Sequence, residues 1–171
     1  REDVAGARLV ANPGCYPTGV ILSIRPLIEA GLLDESLPLT VHALSGYTGG
    51  GKSLIAQWED TELGLGGLPY ESPYAVNARH KHVPEMTHYS GLIDEPQFLP
   101  SVGPFPTGMR VELPLHKSVL KTGATAQTIW ETLSARYAGE IFVRVLEMDP
   151  EAVFSSPTTN AVEGVFDPRK C

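Results

Sequence analysis

Hydrophobic positions change their period along the chain, and each change marks an expected element. After Pro17, the residues Val20, Ile24, Leu27 and Ile28 fall on one helical stripe with Gly31 just beyond, so a helix with proline near its first position is expected. Pro26 is expected to bend or break it. Upstream, ARLVAN (7–12) reads as a short strand running into the turn PGCYPTG. LTVHAL (39–44) alternates as a strand, and KSLIAQWED, beyond the glycine-rich SGYTGGG, carries a short helical pattern through Leu54, Ile55 and Trp58. The Gly- and Pro-rich stretch 63–78 has no period and reads as a long loop over a site or an interface.

The second half is read in the same way. RHKHVPEMTHYSG is expected to be extended through His82 and then helical from Pro84. In MRVELPLHK, Met109, Val111, Leu113 and Leu115 fall on one strand face and Arg110, Glu112 and His116 on the other. TAQTIWETLSARYAG predicts a helix capped by Thr125, with Ala126, Ile129, Trp130, Leu133 and Tyr137 buried and Gly139 as terminator. EIFVRVLEM and AVEGVFD read as further strands. About five strands and three or four helices imply an α+β fold, a mixed, mostly antiparallel sheet with helices on one face.

Composition narrows the function. The chain has 171 residues, 42% of them hydrophobic, which is enough for one domain and core but not two. A net charge of -7 without a basic run argues against nucleic acid and anionic membranes as partners. No apolar stretch approaches the roughly 20 residues of a membrane span, and no signal-peptide pattern opens the chain, so a cytoplasmic protein is expected. The start at Arg1 and the end on FDPRKC imply a piece of a longer protein.

Three motifs carry candidate chemistry. SGYTGGGKS fits the phosphate-loop pattern G-x-x-x-x-G-K-[ST], with Gly46, Gly51, Lys52 and Ser53 at the defining positions. A triphosphate site also needs a magnesium-binding carboxylate after an apolar parallel strand, and FVRVLEMD, interrupted by Arg144 and Glu147, supplies it poorly. The loop therefore fits some other phosphate-bearing or dinucleotide ligand better, or no ligand at all. Cys15 sits just before a helix start, where free N–H groups and the macrodipole favour an anion, the setting of a nucleophilic cysteine. Packing is the common fate of a lone cysteine, but the turn formers around Cys15 argue against it. Cys171 stands alone at the other end.

His80 and His82 point to one side of an extended run, and Glu85 and His88 share a helix face. The set reads in three ways: a metal site of His80, His82 and His88 without a further ligand motif, a solvated turn, or an acid/base partner for Cys15 oriented by Glu85. In the last, Arg79 and Lys81 grip an anion. His42 and His116 lie on the polar faces of strands.

Taken in order, ANPGCYPTGVILSIRPLI, ALSGYTGGGK and HKHVPEM resemble the N-acetyl-gamma-glutamyl-phosphate reductase family, which is related to aspartate-semialdehyde dehydrogenase. The resemblance runs from about Leu9 to Leu146. It implies a fold like the catalytic domain of glyceraldehyde-3-phosphate dehydrogenase, with residues 1–171 as a catalytic and dimerisation domain lacking its Rossmann partner. It further implies Cys15 as nucleophile, His82 as acid/base with His80 and Glu85 beside it, and Ser45, Gly46 and Gly49 against NADP. Asn12, Arg79, Lys81 and Arg110 become candidates for binding a small acyl phosphate. A homo-oligomer formed through the sheet face is the expected assembly, and no resident metal is expected. No G-x-G-x-x-G follows a strand, and the family's C-terminal DNLxKG helix is missing.

Overall fold

The computed structural model describes residues 2–60, 62, 65–68, 70–76 and 79–148. Helix α1 spans Glu2–Ala5, α2 Cys15–Glu29, α3 Gly51–Glu59, α4 Val83–Ser90 and α5 Ala126–Tyr137. Strands β1 (Thr40–Gly46), β2 (Ser72–Pro73), β3 (Gln97–Gly103) and β4 (Met109–Glu112) form one sheet in the order β2-β3-β1-β4. The β1–β3 pair is parallel and the two outer pairs are antiparallel, so the sheet is mixed with antiparallel pairs in the majority, as expected.

Alternation along β1 sorts its two faces. Val41 and Ala43 point inward opposite Phe98 and Pro100 of β3, while His42 points outward and is exposed. The inward row meets Tyr16, Val20, Ile24 and Leu27 of α2 and Val83 and Met86 of α4, all buried in one apolar cluster. Each such side chain contributes roughly 1.5–3 kcal/mol when fully buried. Helix α5 packs on the outside of α2, capped by Thr125 as expected, whose hydroxyl accepts from Thr128 N–H. Of its expected stripe, Tyr137 is buried, Ile129, Trp130 and Leu133 are half-buried, and Ala126 is exposed.

Pro26 does not break α2. Its missing N–H leaves the Leu22 carbonyl without an intrahelical donor, and the Tyr137 hydroxyl of α5 fills the gap by donating to that oxygen at 2.6 Å. The helix ends instead at Gly31, where φ is +69°, a conformation other residues adopt at a cost.

Several expected strands are absent or shifted. Residues 7–12 form no strand: Leu9 and Val10 are 82% and 55% exposed, and no described strand pairs with them. Residues 140–148 also run without ladder pairing, with Phe142 97% exposed. An alternating pattern supplies one face but no neighbour to bond to. AVEGVFD and Cys171 lie outside the described residues. The strand that the pattern does not reveal is β3, because Pro100 stands at its centre. Tyr74 N–H donates to the Pro100 carbonyl, so the proline's donorless side faces the short β2 edge and the parallel ladder to β1 is spared.

Candidate functional site

A cavity of about 710 Å³ opens where β1 and β3 end, on the helix-covered side of the sheet. That volume suits a small-molecule ligand. Carboxyl ends of parallel strands and a helix start converge here, the usual place for a ligand in a sheet of this kind. Cys15, His80, Lys81, His82, Ser45, Gly46 and Gly49 all line it.

Cys15 is the first residue of α2 and is exposed to the cavity, two positions earlier than the hydrophobic stripe indicates for the helix start. Pro17 has no N–H and Thr18 N–H is the first to bond back, to Gly14 O at 3.0 Å. The N–H groups of Cys15 and Tyr16 therefore have no intrahelical acceptor and are free to serve an oxyanion.

His80 and His82 are not extended, contrary to the expectation. They sit in a turn closed by Val83 N–H to His80 O at 3.0 Å, and His82 is the cap of α4. The turn still brings the two rings together, edge to face at 4.8 Å. His80 Nδ1 accepts the His82 backbone N–H at 3.2 Å, which leaves its Nε2 as the protonated nitrogen of the neutral ring. Burial holds both imidazoles below the ordinary histidine value; for His80 the neighbouring His82 and then Lys81 add to this. For His82 the Glu85 carboxylate opposes the shift and Lys81 reinforces it.

Glu85 does not orient a histidine through a hydrogen bond. Both its oxygens accept the Gly14 N–H, at 3.1 and 3.2 Å, so helix α4 clamps the turn that carries Cys15. His82 completes the clamp by lying flat against Gly14: a Cβ at that position would come within 2.5 Å of His82 Nε2. The glycine before Cys15 is thus a consequence of the histidine beside it.

The remaining candidates divide. Lys81 lines the cavity, whereas Arg79 is ion-paired to Glu95 and stands outside the wall. Arg110 falls on the outward face of β4 and pairs with Glu112 at 2.7 Å, so these two guanidinium groups are not an anion grip in this cavity. Asn12 is exposed ahead of the cysteine turn and does not line the wall. His88 lies against Tyr89 and does not join the histidine pair, while His116 caps a turn by accepting from Ser118 N–H. Lys52 is exposed and outside the cavity, so the phosphate-loop match does not bring its lysine to the ligand space.

The sequence did not single out Tyr16, Tyr74, Thr48 or Trp58, all of which line the cavity. Tyr16 stands beside the cysteine in CYPTG and could have been found there. Tyr74 carries no local signal, since its partner Tyr16 is 58 positions away.

The loop's glycines differ in purpose. A Cβ on Gly46 would strike the Pro106 carbonyl at 2.5 Å, so packing alone demands that glycine, whereas a Cβ on Gly49 would meet nothing within 4 Å. The bare Gly49 backbone on the cavity wall leaves open space there for part of a ligand.

A family model described as semialdehyde dehydrogenase, dimerisation domain, matches residues 15–166. N-acetyl-gamma-glutamyl-phosphate reductase of Allorhizobium ampelinum is 49% identical over 152 residues, covering 88% of this chain and 49% of the relative. The proteins of the same name from Rhizobium johnstonii and Brucella ovis are each 47% identical, over 95% and 89% of this chain and 52% and 49% of their own. The chain thus spans about half the length of the curated relatives it matches.

Proposed function

The chain belongs to the semialdehyde dehydrogenase dimerisation-domain family, and on that premise we propose that it carries the catalytic centre of an N-acetyl-gamma-glutamyl-phosphate reductase. The observation that carries the reading is the convergence of an exposed cysteine at a helix start with two buried-shifted imidazoles in one cavity. The activity is that of the complete protein, of which the chain covers one part, and is expected in the cytoplasm as a step of arginine biosynthesis.

The Cys15 thiolate attacks the acyl carbon of N-acetylglutamyl 5-phosphate. A C–S bond forms, and the carbonyl oxygen becomes an oxyanion facing the free N–H groups of Cys15 and Tyr16. Collapse breaks the carbon–oxygen bond to phosphorus and releases inorganic phosphate, leaving a thioester on the sulfur. NADPH, when bound, supplies the hydride that takes the acyl carbon to the aldehyde level. The C–S bond then breaks, returning the electron pair to sulfur, while His82 or His80 manages the proton. Neutral imidazoles suit this shuttle, because a ring held below its ordinary value is ready to accept.

Replacement of Cys15 by serine in the complete protein tests the reading. Phosphate-dependent reduction of NADP by the semialdehyde should fall roughly a thousandfold or more. Turnover retained in Cys15→Ser would remove the cysteine mechanism.

The outward sheet face, with half-buried Leu44 and Leu99 among His42, Ser101, Arg110 and Glu112, is the proposed contact between two copies. The family's description as a dimerisation domain supports that assignment.

A further inference from the structure

Three hydroxyl groups on the cavity wall form a one-way chain. Tyr74 OH donates to Tyr16 OH at 3.2 Å, and Tyr16 OH donates to Ser45 Oγ at 2.8 Å. Each phenol has a single proton, so once Tyr16 gives its own to Ser45 it takes the next from Tyr74. In this direction Ser45 ends the chain with its own proton unplaced. Among the described residues no acceptor bonds that proton, and Ser45 lines the cavity.

The surroundings hold the chain rigidly. Tyr16 is only 3% exposed, and its ring meets His80 at 6.1 Å, His82 at 6.0 Å and Phe98 at 5.1 Å. Tyr74 meets His80 at 5.8 Å. Burial, then the bond to Tyr16, pushes the Tyr74 phenol above the ordinary tyrosine range, so it stays a donor throughout neutral pH. Hydrogen bonds in series polarise one another, which makes the last hydroxyl a better donor than an isolated serine.

Besides its bridging oxygen, an acyl phosphate brings two kinds of oxygen to this cavity. The carbonyl oxygen, attached to the carbon under attack, is met by the helix-start N–H groups next to the sulfur. The phosphoryl oxygens stand further out. A tyrosine side chain reaches well away from its own backbone, so the Ser45 hydroxyl that the Tyr16 tip touches stands apart from the helix-start N–H groups within the same cavity. With Arg79 and Arg110 engaged elsewhere, that group needs donors, and Lys81 is the only lysine or arginine on the described wall.

We propose that Ser45 is a hydrogen-bond donor to the phosphoryl group of the substrate, with Tyr16 and Tyr74 as positioning residues that orient its hydroxyl. The assignment moves Ser45 from the cofactor to the phosphate. It rests on the reductase reading above, and its test separates the two.

In the complete protein, Ser45→Ala should raise the KM for inorganic phosphate in the semialdehyde-oxidising direction by roughly tenfold to a hundredfold, the range for a lost hydrogen bond to a charged acceptor. The KM values for semialdehyde and NADP should stay within about twofold. Tyr16→Phe and Tyr74→Phe, which keep the rings, should raise the same constant by smaller factors, and neither should add to Ser45→Ala in the double variant. A second readout needs no turnover: inorganic phosphate should slow alkylation of Cys15 by iodoacetamide in the unmodified protein and fail to do so in Ser45→Ala. If the KM for NADP or semialdehyde rises instead, or if phosphate protects Cys15 equally in both proteins, the assignment is overturned. Loss of thermal stability with unchanged constants overturns it as well, since a purely structural chain behaves in that way. Should Ser45→Ala fail to fold, Tyr16→Phe decides by the same two readouts. Phosphate protection can be lost in Ser45→Ala whether or not the protein is a reductase, so the two readings fail separately.

Discussion

The two faces of one strand differ in what their polar groups do. Inward, β1 carries Val41, Ala43 and Ser45, and Ser45 is held by a tyrosine whose neighbour in sequence is Cys15. Outward, the same strand carries His42 and Leu44, opposite Arg110 and Glu112 of β4, where the charged pair is exposed and satisfies itself. Both faces are rich in groups able to do chemistry, yet only the inward one holds them in partly buried geometry with unplaced hydrogen-bonding capacity aimed at a cavity. Fixed and unsatisfied groups bind or catalyse, while solvated pairs at the surface contribute about 0–1 kcal/mol to stability and little to function.

The sharpest way to break this contrast is at Gly14. A methyl group there would displace the His82 ring, the far end of a flexible side chain, so the damage should appear in turnover rather than in folding. Gly14→Ala should lower kcat by about a hundredfold or more, the usual worth of acid/base help, with a melting temperature changed by only a few degrees. Unchanged kcat would show that the histidine pressed on the cysteine turn is only a packing element.

Acid should act next. Both inner imidazoles are held below their ordinary value of 6.5 by burial, so the folded protein binds fewer protons there than the unfolded chain. Stability should then fall as pH drops below about 6.5 toward the lowered folded values, and turnover should decline about tenfold per unit once the working imidazole is protonated. A pH profile of kcat/KM with its acid limb above 6.5 would contradict the direction of these shifts.

The outward face should respond differently. Arg110→Glu breaks the pair with Glu112 and places like charges side by side. Sedimentation should report self-association weakened several-fold, while Cys15 alkylation stays within about twofold of the unmodified rate. Unchanged association would remove this face from the subunit contact. The smallest effect is expected at Lys52: since it is exposed outside the cavity, Lys52→Ala should leave turnover within twofold. A larger loss would revive the phosphate-loop reading.

Much of this arrangement is legible in the sequence. The stripe Val20, Ile24, Leu27, the cap at Thr125, the cysteine turn and the glycine loop all depend on residues within a turn or two of one another, and such neighbours leave a periodic or positional mark. His80 and His82 come together for a reason other than the expected one. The expected extended run is a turn, and the turn brings the rings edge to face.

What the chain alone determined, then, is the set of local pieces: an amphipathic helix opening on a cysteine, a bare loop after a strand, and a histidine pair before a short helix. Only tertiary structure decided that Pro100 sits inside a strand, that Pro26 is rescued by Tyr137, that Arg110 faces away from the cavity, and that Glu85 grips Gly14. The rescue of Pro26 and the grip on Gly14 join groups far apart in sequence, 115 positions for Tyr137 and Leu22 and 71 for Glu85 and Gly14. Such pairings arise from the packing of whole elements, where burial favours a partner for a polar group wherever one lies, and local periodicity carries no record of that choice.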